Sequence, residues 1–374
     1  MTSIGGAEMV DWNLAVATAT RLVRPGPEVS RDEARAVVAE LRRHAKASEQ
    51  HVRGFTRMGT DDIHDTPILV VDRPGWVRAN VAGFREILKP LLDKMQERRG
   101  NTPGGAVFGA VGGKVTGVEL GMLLSFLSSR VLGQYETFAP ASRELPAGAK
   151  GGRLLLVAPN IVHVERELDV EPHDFRLWVC LHEETHRTQF TAVPWLRDHL
   201  EGEIQSFLGE TEVDPMTVLE RIREAAQSLA GGRPEGEEDD DSGRSLVEIV
   251  QTPAQREILG RLTAVMSLLE GHADFVMDGV GPDVVPSVAE IREKFQQRRA
   301  KGASRLDSAL RKLLGLDAKL RQYRDGERFV RAVVDQVGMD GFNRVWTSPN
   351  TLPTKTEIAK PADWVARVHR KTES

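Results

Sequence analysis

The stretch LHEETHRTQF, residues 181–190, sets two histidines four positions apart with a glutamate directly after the first. A helix turns about 100° per residue, which puts His186 about 40° and Glu183 about 100° from His182, while Glu184 points the other way. Two imidazoles one turn apart can reach a single zinc ion. Glu183 then stands beside the open positions, where a carboxylate can take a proton from metal-activated water. Phe175, Trp178 and Val179 fall in the same sector, so the histidines share the apolar, inward face. Burying an imidazole without a partner costs ~1–3 kcal/mol, and a metal ion would satisfy both rings at once.

A third ligand has to come from elsewhere. The metzincin continuation would need glycine at 189 and histidine at 192, but these positions hold Gln189 and Ala192. Further along, LLEGHADFVMDG, residues 268–279, carries Glu270 and, one helical turn later, Asp274. His272 falls on the far side of that helix, whereas Leu259, Thr263, Met266, Ala273 and Met277 share the Glu270 face. Two carboxylates on a largely apolar face call for something positive opposite them. Zinc would meet Glu270, and the second N–H of a ligand histidine would meet Asp274. Arginines from another helix are the alternative.

His182, Glu183, His186, Glu270 and Asp274 together resemble the gluzincin pattern, in which a Glu-x-x-x-Asp on a later helix completes the histidine motif. The wider chain resembles the zincin-like metallopeptidase and hydrolase family of actinobacteria, formerly a domain of unknown function. The likeness runs through Pro159-Asn160-Ile161, Trp178 to Phe190, Glu270 to Asp274, Gln322-Tyr323-Arg324 with Gly326, and Leu352-Pro353-Thr354. It implies a zinc-dependent hydrolase of a peptide or small amide, with His182, His186 and Glu270 as metal ligands, Glu183 as general base and Asp274 orienting a histidine. A catalytically inactive binding or scaffold protein is the alternative. The interval from His186 to Glu270, 270 − 186 = 84 residues, is long for the thermolysin-like pattern. No oxyanion-stabilising group stands at a recognisable place. Tyr323 is the better of the two tyrosines for polarising a carbonyl, unless its ring simply packs.

The bulk numbers set limits on partners. At 374 residues, 40% hydrophobic and 28% charged, the chain can bury a large core, and a net charge of −5 leaves no basic footprint for nucleic acid. Lys114, Glu119 and Arg130 interrupt the glycine-rich segment, so a membrane span is not expected. Its small residues at 105, 109, 113, 117, 121, 125, 129 and 133 suit a tightly packed helix or a helical hairpin. One cysteine, Cys180, excludes an internal disulfide, and with no secretion-like start the cytoplasm is the expected compartment. Cys180 reads as a small core residue, and Arg187 and Gln189 as solvated.

The expected fold is mainly α with a small β-sheet, an α+β zincin-like fold in two lobes around a metal cleft. It forms one domain over 1–374. A helical part spans 1–150 and includes the glycine-rich segment, with helices opening at the Ser30–Glu33 capping box and running from Trp76 to about Arg98, and a short strand between them at Pro67-Ile68-Leu69-Val70-Val71. Residues 151–230 hold a buried strand at 153–158, a possible strand at 161–164 and the motif helix, which starts near Pro172 and ends at Pro194. An acidic flexible loop follows at 231–244, then a helical part at 245–374 that turns irregular after Val337. The strand ending at Ala158 is expected to offer a free edge beside the cleft.

Overall fold

The computed structural model describes residues 9–59, 66–99, 105–139, 152–210, 253–301 and 316–370. The acidic loop at 231–244 lies outside them. The described residues form twelve α-helices, two short 3-10 helices (Asn343–Trp346 and Pro349–Thr351) and three strands. In chain order these are α1 (Trp12–Leu22), α2 (Arg31–Thr56), β1 (Ile68–Val71), α3 (Arg73–Arg99), α4 (Gly105–Ser128), β2 (Gly133–Glu136) and β3 (Arg153–Val157). Then come α5 (Ala158–Leu168), α6 (Pro172–Ala192), α7 (Pro194–Gly209), α8 (Pro253–Gly279), α9 (Val288–Lys301), α10 (Leu316–Phe342), α11 (Lys355–Ala359) and α12 (Pro361–His369). The fold is thus mainly helical with one small sheet, as expected. No helix among the described residues is long and apolar enough to cross a membrane.

The sheet order is β1-β3-β2, with β3 parallel to β1 and antiparallel to β2. The apolar run Leu154-Leu155-Leu156-Val157 is therefore central. Leu154 and Leu156 join the core around α2 and α6, while Leu155 and Val157 join the core of α1, α3 and α4. Both edges of β3 are occupied, so the edge strands are β1 and β2 and not, as expected, β3. The strand expected at 161–164 is helix: Pro159 sits in the first turn of α5, and Ile161, Val164 and Leu168 recur at helical spacing on its buried side.

Ser30 caps α2 by accepting a bond from the Glu33 amide, and the helix runs to Thr56. The glycine-rich segment is a single helix, not a hairpin. A Cβ on Gly117 or Gly121 would collide with the carbonyl oxygens of Asp11 and Ala15, so α1 lies directly on that stripe. The stripe ends before Gly133, which opens β2. The stretch after Val337, expected to be irregular as far as Trp364, continues α10 to Phe342 and then holds α11 and α12. A reciprocal capping box between Thr354 and Glu357 starts α11.

Asn160 ties these parts together. It is fully buried, donates to the Ser128 and Val131 carbonyls and accepts from Arg73 at 2.6 Å. It thereby fixes the end of α4 and the loop that leads into β2.

Helix α6 is buried almost all round, between α2 on one side and α8 on another. Helix α8 in turn lies against α10 at a pair of glycines. A Cβ on Gly326 would overlap the Ser267 carbonyl, and one on Gly271 would overlap the Gly326 backbone. This contact sets where Glu270 stands. Gly326→Ala should force α8 and α10 apart and lower unfolding stability by about 1–3 kcal/mol in chemical denaturation; an unchanged midpoint would show that the approach is not needed.

Candidate metal centre

Helix α6 presents His182 and His186 on one face, and α8 brings Glu270 opposite them. The two imidazole Nε2 atoms are 3.3 Å apart. One Glu270 oxygen lies 3.7 Å from His182 Nε2 and the other 3.6 Å from His186 Nε2. All three groups can offer donor atoms within 4.8 Å of one another. Two donors on a tetrahedral zinc ion, each ~2.0–2.1 Å from it, stand about 3.3 Å apart, so the cluster has the right size.

The hydrogen bonds around the rings show which nitrogens carry protons. Gln189 Nε2 donates to the Leu269 carbonyl at 2.9 Å, which orients the amide. Its oxygen therefore accepts from His186 Nδ1 at 3.0 Å, and the His186 Nε2 lone pair is left facing the cluster. The same Gln189 amino group meets His272 Nδ1 at 3.0 Å. Burial, and then His186, push the pKa of His272 down to about 3, so the ring is a neutral acceptor. On the other side, Asp274 Oδ1 stands 3.6 Å from His182 Nδ1, beyond hydrogen-bond length but within ion-pair reach. The His186 lone pair and the Glu270 carboxylate point at one place beside His182 Nε2, where a divalent cation would meet all three. The residues fit a metal ion.

Glu183 lies beside the cluster and is buried. Burial first, then the Glu270 carboxylate, push its pKa well above the usual carboxylate range. Its side chain rests on Gly133 of β2: a Cβ there would stand 2.5 Å from Glu183 Cγ and 2.6 Å from its carboxyl carbon. Only glycine fits beneath this carboxylate.

The site opens on a cavity of about 880 Å³ between β2, α3, α6, α7 and α8. Phe84, Ile87, Phe138, Phe190, Leu262 and Met266 make most of its wall apolar. Among the described residues its acidic lining groups are Glu136, Glu183 and Glu270, and no lysine or arginine lines it.

The free edge of β2 faces this space. Val157 donates to the Leu132 carbonyl, which makes Leu132 and Val157 a hydrogen-bonded pair. By alternation along the ladder, the N–H and C=O groups of Gly133 and Tyr135 turn away from β3.

Several residues lie elsewhere than the sequence suggests. Arg187 is buried, not solvated, and its guanidinium meets Glu184 at 3.0 Å and Glu49 at 3.4 Å. Gln189 is buried too, in the bonds described above. Glu184 does point away from the metal ligands, into this ion pair. Cys180 is a buried core residue, as expected. Tyr323 falls on α10, but its side chain is not among those described. The other tyrosine, Tyr135, stacks on Phe190 with ring centroids 5.5 Å apart, and burial pushes its pKa up to about 12. Its hydroxyl points toward Gly152, away from the cluster.

The sequence profile of the zincin-like metallopeptidases matches residues 10–365, and the chain belongs to this family. No curated protein matches it. A solved structure from Chloroflexus aurantiacus, described as "a putative hydrolase with a novel fold", is similar to it at 30% identity. That similarity covers 97% of this chain and 99% of the other, with a TM-score of 0.68.

Losing the bond that orients His186 should loosen metal binding without moving the donors. Gln189→Leu is expected to weaken zinc affinity ~10–100-fold in chelator competition, with helical content unchanged. Wild-type affinity in this variant would remove Gln189 from the site.

Proposed function

We propose that the protein is a zinc-dependent hydrolase, a metallopeptidase that cleaves a peptide or amide bond. The observation that carries this reading is the convergence of His182, His186 and Glu270 beside buried Glu183 at the wall of a large cavity. Membership of the metallopeptidase family and the likeness to a protein described as a hydrolase support it.

In this reading His182 and His186 hold zinc through Nε2 and Glu270 through its carboxylate. Asp274 and Gln189 keep the two rings turned inward. Zinc bound there supplies Lewis acidity, which polarises a carbonyl and acidifies water. Glu183 takes a proton from the attacking water and delivers it to the leaving nitrogen. Gly133 gives the Glu183 carboxylate its room. The outward N–H and C=O groups of Gly133 and Tyr135 suit pairing with an extended substrate backbone. The apolar wall and acidic lining favour an uncharged, apolar side chain over an acidic one. The part of polarising the carbonyl is assigned to Tyr323 from the sequence alone.

Glu183→Gln has a side chain of the same shape but cannot accept the proton. It should retain one zinc at this centre and lose hydrolysis of a peptide library by ~10²–10⁴-fold. Equal cleavage by variant and wild type would remove Glu183 from the chemistry, and none by either across a broad library would favour a binding protein instead. Gly133→Ala should likewise retain zinc and lose turnover, because the new methyl group displaces Glu183. Shortening the acid in Gly133→Ala/Glu183→Asp should recover part of the rate, whereas a merely structural role for Gly133 predicts no recovery.

A further inference from the structure

Helix α6 carries a second donor cluster on its other side. His173 precedes His182 by 9 residues, which is half a turn around the axis and about 13 Å along it. It therefore faces α2, where Glu40 and His44 stand one turn apart. Glu40 Oε1 lies 2.9 Å from His173 Nδ1 and 3.4 Å from His44 Nε2. The donor atoms of all three residues lie within 4.8 Å of one another, a spacing close to the edges of a tetrahedral zinc site. The two rings meet edge to face with centroids 4.6 Å apart.

The surroundings hold this cluster in place. Arg176 binds the other oxygen of Glu40 and takes both oxygens of Glu165, so Glu40 Oε1 stays turned toward the histidines. His44 is only 7% exposed, and its Nε2 has no hydrogen-bond partner. A cation seated there would meet the Glu40 carboxylate and occupy the buried nitrogen that lacks a hydrogen bond.

We propose that Glu40, His44 and His173 form a second site for a divalent cation of borderline softness, such as zinc, on the reverse side of α6 from the first centre. The bound ion clamps α2 to the first turn of α6. This site is independent of hydrolysis, and its ligands are not shared with the first centre.

The test is a zinc titration of the metal-stripped full-length chain, with bound zinc counted by elemental analysis after gel filtration. The wild type should take up two zinc ions per chain at micromolar or tighter affinity. His173→Gln, at a side chain 62% exposed, should keep its fold by circular dichroism and take up one. His182→Ala/His186→Ala should also take up one, and that one should raise the melting temperature. A His182→Ala/His186→Ala variant that binds no zinc, a His173→Gln variant that binds as many as the wild type, or filling of this site only at millimolar zinc would overturn the proposal. The two centres fail separately: loss of the first shows in the His182→Ala/His186→Ala count, loss of the second in the His173→Gln count.

Discussion

The Nε2 atoms of His182 and His186 stand 3.3 Å apart with the Glu270 carboxylate opposite them, gathered as a single cation would need them. Much of the surrounding architecture holds these groups in that relation. Helix α6 is enclosed on nearly all sides, which keeps its histidines at the cavity wall. Helix α8 is fixed against α10 by the Gly271–Gly326 contact, so Glu270 cannot retreat. Gln189 keeps the His186 ring proton on the far side. The fold holds the donors ready for an ion, and this is why a metal is expected to stabilise the chain as well as complete the site.

Helical geometry made the central part legible from the sequence. A spacing of four puts His182 over His186 and Glu270 over Asp274, and packing brought the two pairs together as the residue types demanded. The run at 154–157 was likewise readable as a buried strand, because it is apolar on both faces. The apolar, β-branched run at 68–71 was readable as β1 as well, whereas β2 was not. Pairing depends on contacts distant in sequence, and β2 comes from a segment with only a weak strand signal of its own. At 158–168, helix and strand both fit a short apolar run, and Pro159 in a first turn decided for helix.

The groups that tune the centre were harder to see. Gln189 is a polar residue on a helix with no motif attached to it, and a solvated reading fits most such positions. Its role appears only when Leu269 and His272 are placed beside it. Gly133 belonged to a run of small residues at helical spacing, which hid the one that ends in a strand beneath Glu183. Arg187 and Glu184 similarly form a buried pair that only the packing of α2 on α6 makes necessary. A sequence shows donors well and shows poorly the side chains that orient them.

Anomalous X-ray diffraction at the zinc edge, on crystals of the zinc-loaded chain, tests the central claim most directly. The account predicts a full-occupancy peak bonded to both imidazole Nε2 atoms at ~2.0–2.1 Å and to Glu270 at ~2.0–2.2 Å, with an open position facing the cavity. A map with no peak between these residues at stoichiometric zinc, or one in which Glu270 has turned away from an ion held by other ligands, would contradict it.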